Sequence, residues 1–305
     1  MVNSSSDLPY VTVIIPTYNR VEMLRRVLPS YLRQRCVRNI IIVDDGSEDE
    51  TAFFVAQFAH ENPMVDYKRH PHNTGQPAAK NTGLQGASSP LVFIGEDDLE
   101  LADGHLDILV EHMIATRADV IAGRRIWLRP GETTAQGLAR ADRNRKPVVN
   151  TALLEVNSHA RPATDVEVPI LPATALMRVE IAREVQFDPY YRGGNCWREE
   201  TDFHLALGER GYRLVFCPHT VSFHHARPTF QARQSGGRLL SDIRTLCAMY
   251  RNNRRMLEKH RAFLVERGYL VAGSITVTAI VYVLVRAVWM FKSEAYKIWT
   301  SRRTN

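Results

Sequence analysis

VTVIIPTYNRVEMLRRVLPSYLRQRCVRNIIIVDDGSEDE, residues 11–50, carries a whole strand–helix–strand unit. Residues 11–15 (VTVII) form an unbroken apolar run that stops at Pro16. That is the pattern of a strand buried on both faces. Asn19 and Glu22 stand at capping-box spacing and predict a helix start. Leu24, Val27, Leu28, Tyr31 and Leu32 then recur as one apolar stripe, and Pro29 predicts a kink or an early end. Residues 39–43 (NIIIV) are a second buried strand, closing on Asp44-Asp45-Gly46-Ser47. Ser47 and Glu50 repeat the capping-box spacing, and residues 51–60 read as the next helix.

The alternation continues downstream. Residues 65–68 read as a short strand, 76–85 as a helix and 91–94 (LVFI) as a third buried strand, ending in Gly95-Glu96-Asp97-Asp98. Leu106, Leu109, Val110 and Met113 give the following helix its apolar face, and residues 119–122 are a further strand. Strands that alternate with helices and are apolar throughout predict an α/β fold, a mostly parallel sheet covered by helices. Ligands of such sheets sit beyond the carboxyl ends of the strands. Three polar clusters fall there: Thr17-Tyr18-Asn19, Asp44-Asp45 and Glu96-Asp97-Asp98. Residues 124–172 read as loops with a few short strands, and 173–178 as a returning strand. Residues 200–210 read as a helix, followed by strands at 212–216 and 221–223. Ile243, Leu246, Tyr250, Leu257 and Leu264 mark basic, amphipathic helix.

Composition narrows the class. The 305 residues are 45% hydrophobic and 24% charged, which excludes wholesale disorder. The net charge of +6 is unevenly spread. Residues 1–232 carry 25 Lys+Arg against 29 Asp+Glu, whereas residues 233–305 carry 14 against 4. The boundary at 232/233 therefore separates a mildly acidic body from a strongly basic extension. Cys36, Cys196, Cys217 and Cys247 are scattered with no C-x-x-C pair, which argues against a zinc ribbon or a disulfide scaffold and fits reduced cytosolic thiols. Residues 1–9 are polar and show no leader-like apolar run. Residues 269–285 contain no charged side chain, and the apolar character resumes after Arg286 up to Phe291. Seventeen uncharged residues are at the lower edge of a bilayer span, about 17–25 residues. With basic chain before it, this segment predicts a membrane-associating extension at the cytoplasmic face, either spanning or lying in the interface. A nucleic-acid binder would instead gather its charge on a folded patch with stacking aromatics.

The consecutive carboxylates Glu96, Asp97 and Asp98 repel one another unless a cation lies among them. Hard oxygen ligands suit Mg²⁺ or Mn²⁺, whose remaining positions substrate phosphates can fill. By itself the triplet also reads as an acidic start to the next helix. Asp45 can accept from a base or ribose and Tyr18 can stack on a base; alone, each also reads as a turn aspartate and a core aromatic. No G-x-G-x-x-G follows the first strand, and no Walker A sequence occurs.

Taken in order, VTVIIPTYNR, IIIVDDGSEDET, HNTGQPAAKNTG, FIGEDD, REETDF and PHTVSFHH resemble the family 2 glycosyltransferases of the GT-A fold. The resemblance runs from Tyr10 to Arg227. It implies an inverting, metal-dependent transferase that moves a sugar from a nucleotide-diphosphate donor to a glycan or lipid-linked acceptor hydroxyl. Thr17, Tyr18, Asn19 and Asp45 would hold the nucleoside. Lys80 stands where such enzymes usually have arginine, and would face phosphate or the donor sugar as a point charge. Asp98 would bind the metal, and Glu96 or Asp97 the ribose or metal. Glu200, or Glu199 beside it, would be the catalytic base, Trp197 could pack on a sugar ring, and His224, or His225 in a shifted register, would ligate the metal. Sugar-nucleotide synthesis would favour a glycine-rich basic loop after the first strand, which is missing. A non-catalytic binding protein would lose the acids that here remain at both positions.

Overall fold

The first strand, β1 (Val11–Thr17), is buried along its whole length, Pro16 included. The computed structural model describes residues 9–192, 196–226, 238–270 and 275–301. From β1 the chain passes through α1 (Val21–Leu32), β2 (Val37–Asp44), α2 (Thr51–Glu61), β3 (Val65–Arg69) and α3 (Gln76–Gly86). It continues through β4 (Leu91–Ile94), β5 (Leu99–Leu101), α4 (His105–Thr116), β6 (Val120–Trp127) and α5 (Thr134–Ala141). The short strands β7 (Val149–Asn150), β8 (Glu155–Val156) and β9 (Val166–Glu167) lead to β10 (Leu176–Arg178), α6 (Val179–Val185), α7 (Glu199–Glu209) and β11 (Leu214–His224). Three helices complete the described chain: α8 (Arg238–Lys259), α9 (Arg261–Glu266) and α10 (Ile275–Ser301).

The main sheet has the order β3-β2-β1-β4-β10-β6-β11-β5, with β9 also paired to β11. The strands β3, β2, β1 and β4 run parallel, as do β6 and β11, while β10 is antiparallel between β4 and β6. Continuous apolar runs follow from burial on both faces. Val11, Val13 and Ile15 pack with Leu24, Val27 and Tyr31 of α1 and with Leu106, Leu109 and Val110 of α4. Ile14, Val92 and Ile94 face the other way, toward Leu84, Ile181, Ala182, Phe203 and Leu207. Gly83 permits that second layer, because a Cβ there would lie 2.3 Å from Cγ2 of Ile14.

Several local expectations are corrected. Pro16 does not end β1: β4 stops pairing at Ile14, so the missing N–H has a ladder neighbour only on the β2 side. Neither Asn19 nor Ser47 caps a helix; the N-cap residues are Arg20 and Glu50, without side-chain capping bonds. Pro29 lies in the last turn of α1, which runs on to Leu32. The sequence region read as loops continues β6 through buried Arg124 and Arg125 and then forms α5, whose capping box is Thr133 with Gln136. The strands expected at 212–216 and 221–223 are one strand, β11, with a register irregularity between Cys217 and Val221.

The chain divides into two compact units: residues 1–150 with 155–228, and residues 151–154 with 229–305. The expected boundary at 232/233 falls outside the described residues. In the second unit α8 packs against α10. Leu257 and Leu264 are buried as expected, but Ile243 is exposed and Met249 and Met256 take core positions instead. Residues 271–274 of the apolar segment lie outside the described residues. Among the described residues, no helix is long and apolar enough to cross a membrane.

Candidate active site

Parallel pairing brings the functional side chains together. The register sets Thr17 at the end of β1 opposite Asp44 at the end of β2, and Trp127 at the end of β6 opposite His224 at the end of β11. β5 pairs antiparallel with β11 so that Leu99 faces His224, which draws the preceding Asp98 to the same place. The His225 backbone N–H then donates to the Asp98 carbonyl at 2.9 Å.

Glu96, Asp98 and His224 form a cluster whose ligand atoms lie within 4.8 Å of one another. Asp98 Oδ1 is 3.2 Å from His224 Nε2. Adjacent ligands of an octahedral ion bound at ~2.1 Å stand ~3.0 Å apart, so this pair fits a Mg²⁺- or Mn²⁺-type ion. Asp98 Oδ2 accepts from Arg20 Nη1 at 3.1 Å, and the same guanidinium reaches Asp97 at 3.6 Å. Arg125 donates to Glu96. Burial pushes the Glu96 carboxyl up to about 7, against the pull of Arg125. His225, the register rival of His224, is bonded to Glu100 at 2.7 Å and is not part of the cluster.

The second focus is Lys80. It is fully buried, and its ammonium lies 3.0 Å from Glu199 Oε1 and 3.1 Å from Glu200 Oε1, over the Phe187 ring. Burial opposes its charge, but the two carboxylates outweigh that and raise its pKa. Its immediate partners are therefore these glutamates at the start of α7, a contact not anticipated from sequence. The glutamates differ. Glu199 has no exposed side-chain surface, and burial pushes its carboxyl up to about 8. Glu200 keeps 25% of its side chain exposed. Burial would raise its pKa too, but Lys80 and its own backbone hold it below the usual range. Glu200 is thus the ionised carboxylate that a substrate can reach. Trp197 is half-buried just before this helix, between Cys196 and Arg198, which both adopt positive φ (50° and 75°).

The nucleoside-side residues divide into two roles. Tyr18 is exposed at the end of β1, and Thr17 Oγ1 is buried without a hydrogen-bond partner. Asn19 adopts φ 53° and its Oδ1 accepts from the Glu48 and Asp49 backbone, tying two loops together. Asp45 organises its surroundings. Its Oδ1 meets His70 Nδ1 at 2.7 Å and accepts from the Thr74 N–H and hydroxyl, while Oδ2 accepts from the Gly75 N–H. A carboxylate oxygen has two lone pairs, and Oδ2 accepts one bond, so one position on Oδ2 remains for a ligand.

Sequence reasoning missed Arg20, Arg125 and Trp127. The Trp127 ring lies 3.9 Å from the His224 ring and under the Arg125 guanidinium, and it is half-exposed beside the cluster. Arg20 stood in the quoted VTVIIPTYNR motif, whereas Arg125 and Trp127 lay in a stretch that read as loop.

Residues 12–183 match the family model described as Glycosyl transferase family 2. Glycosyltransferase AglE of Haloferax volcanii is 25% identical over 230 residues, covering 73% of this chain and 69% of that protein. Pre-mycofactocin glycosyltransferase of Mycobacterium tuberculosis is 29% identical over 225 residues, covering 71% of this chain but only 43% of its own length. Among solved structures, GalNAc-T7 with UDP, GalNAc and Mn²⁺ superposes with a TM-score of 0.63 at 15% identity, over 91% of this chain and 55% of that one. That last likeness speaks for the fold.

Proposed function

The chain belongs to glycosyl transferase family 2, and from that membership we propose that it is a metal-dependent inverting transferase. In this reading it moves a sugar from a nucleoside-diphosphate donor to an acceptor hydroxyl. The observation that carries it is the convergence of Glu96, Asp98 and His224 at the carboxyl ends of the strands, with the ionised Glu200 nearby. Arg125 links the two, since it pairs with Glu96 and its charge also acts on Glu200.

The roles follow from position. Tyr18 offers an exposed ring to a base, and Thr17 and Asp45 offer a hydroxyl and a remaining carboxylate lone pair to the nucleoside. Asp98 and His224 would hold the cation, with Glu96 beside them; when bound, such an ion would neutralise negative charge on the leaving diphosphate. Glu200 takes the acceptor proton as the acceptor oxygen bonds to the anomeric carbon and the carbon–oxygen bond to the diphosphate breaks. Lys80 keeps Glu200 ionised and oriented. Trp127, exposed beside His224, presents a further face, besides Trp197, on which a sugar ring can pack. Uridine donors are the first to test, because GalNAc-T7 was solved with UDP and Mn²⁺.

A thermal-shift screen of nucleotide sugars tests the proposal. At saturation a donor is expected to raise the melting temperature by about 5 °C with Mn²⁺ present, and by much less without it. No shift with any nucleotide sugar under either condition overturns it.

The same reading places the second unit on an anionic membrane surface at the cytoplasmic face, where a lipid-linked acceptor would be met. Val277, Ile280, Val281, Leu284 and Val288 are exposed along one face of α10, in a segment that is strongly basic overall. The protein is expected to sediment with anionic vesicles at low salt and to be released at high salt. Equal recovery with and without vesicles counts against it.

A further inference from the structure

A second cluster of metal-ligating side chains lies on the body of the first unit. His112 is on α4, Asp165 precedes β9, and Cys217 is on β11, seven residues before His224. Their ligand atoms all lie within 4.8 Å of one another. We propose that His112, Asp165 and Cys217 bind a zinc ion, with His219 as the fourth ligand.

Four observations converge. The donors are one imidazole nitrogen, one carboxylate oxygen and one sulfur, the mixture that zinc takes in tetrahedral sites. Tetrahedral bonds of about 2.0–2.3 Å place ligand atoms roughly 3.3–3.8 Å apart, so separations that are all within 4.8 Å need at most about 1.5 Å of side-chain closure. His112 Nδ1 and Asp165 Oδ2 are already 2.6 Å apart and would separate slightly as the ion enters. Asp165 Oδ1 is buried and accepts no hydrogen bond. His219 Nε2 lies 4.0 Å from that same oxygen, and its ring stacks on His112 at 4.7 Å. His219 is 44% exposed, which leaves it room to turn inward.

The irregularity of β11 has a function in this account. Between Cys217 and Val221 the pairing with β6 is interrupted, taking His219 out of the ladder. Burial, with the Asp165 carboxylate, pushes the Cys217 thiol up to about 12, and the backbone amides of His219 and Thr220 pull against that shift. A binding ion displaces the thiol proton. The ion would pin α4, the approach to β9 and the bulge of β11 at one point. This differs from the Glu96–Asp98–His224 cluster, which has no sulfur and suits a hard cation. Sequence spacing could not show the site, because its first three ligands come from three separate elements.

The test is titration of the chelator-treated full chain with Co²⁺ as a zinc surrogate, reading the thiolate-to-metal charge-transfer band in the near ultraviolet. One equivalent is expected to develop the band, which is lost in Cys217→Ala and in His112→Gln and kept in Asp98→Ala. Zn²⁺ is expected to abolish the band by displacement and to raise the melting temperature of the wild type but not of His112→Gln. His112 is partly exposed, so that variant keeps the test decisive if Cys217→Ala fails to fold. The proposal is overturned by absence of the band in the wild type, by its survival in either ligand variant, or by its loss in Asp98→Ala.

Discussion

Glu200→Gln is expected to reduce transfer by about 10²–10⁴-fold while leaving donor affinity unchanged. The substitution keeps the shape of the side chain and removes only its ability to accept the acceptor's proton. Glu200 is singled out over Glu199 by exposure and charge. Glu199 is fully buried and pushed up to about 8, whereas Glu200 is reachable and held below the ordinary carboxyl range despite burial, by Lys80 and its backbone. Its lowered pKa gives a second readout. The acidic limb of the pH–rate profile should lie below about pH 4.5, the ordinary glutamate value, since the base is active only when ionised. Unchanged turnover in Glu200→Gln, with loss in Glu199→Gln, would move the base one residue upstream.

Asp98→Ala is expected to lower kcat/KM by about 10²–10⁴-fold, the several kcal/mol that a cation supplies at the leaving group. Asp98 is the hinge of the cluster. One of its oxygens faces His224 at 3.2 Å and the other takes Arg20 at 3.1 Å. Removing it takes away the carboxylate oxygen that faces His224 at 3.2 Å, while Arg20 retains Asp97 at 3.6 Å. The fold should survive, because Asp98 sits beyond the end of β4 and not in the apolar layers. A melting temperature within a few degrees of wild type is the control that separates lost metal binding from lost structure.

The sheet was legible where strands are buried on both faces, because burial leaves an unbroken apolar run. β1, β2 and β4 are such strands. β6 was read only over its first residues, since Arg124 and Arg125 break the run. Both arginines are nevertheless buried, and Asp142 and Glu96 respectively compensate their charges. Paired burial of charge is a tertiary fact that composition along the chain does not carry. Capping boxes failed in an instructive way. Asn19 and Ser47 have the right residue types, yet they bond loop to loop: the Asn19 N–H donates to Ser47 Oγ, and the Ser47 N–H donates to Asp44. These loops shape a site, and side chains that would otherwise cap a helix are used there.

The acids of the site were legible because they follow strands and sit in motifs. Their counter-charges were not. Lys80, which the resemblance sets toward phosphate or the donor sugar, also bridges Glu199 and Glu200, while Arg20 and Arg125 hold Asp98 and Glu96. Which cation meets which carboxylate depends on strand register and on the placement of α7, and neither is written in local pattern. His224 was identified over His225 only as a preference; the pairing of β11 with β5 directs it toward Asp98.

The central claim is that a divalent cation at Asp98 and His224 governs donor binding. Calorimetric titration of UDP into the wild-type protein and Asp98→Ala, each with and without Mn²⁺, tests it most directly. The account predicts that Mn²⁺ tightens binding to the wild type at least tenfold and leaves Asp98→Ala unaffected. Equal tightening in both proteins, or UDP binding to the wild type indifferent to Mn²⁺, would contradict it.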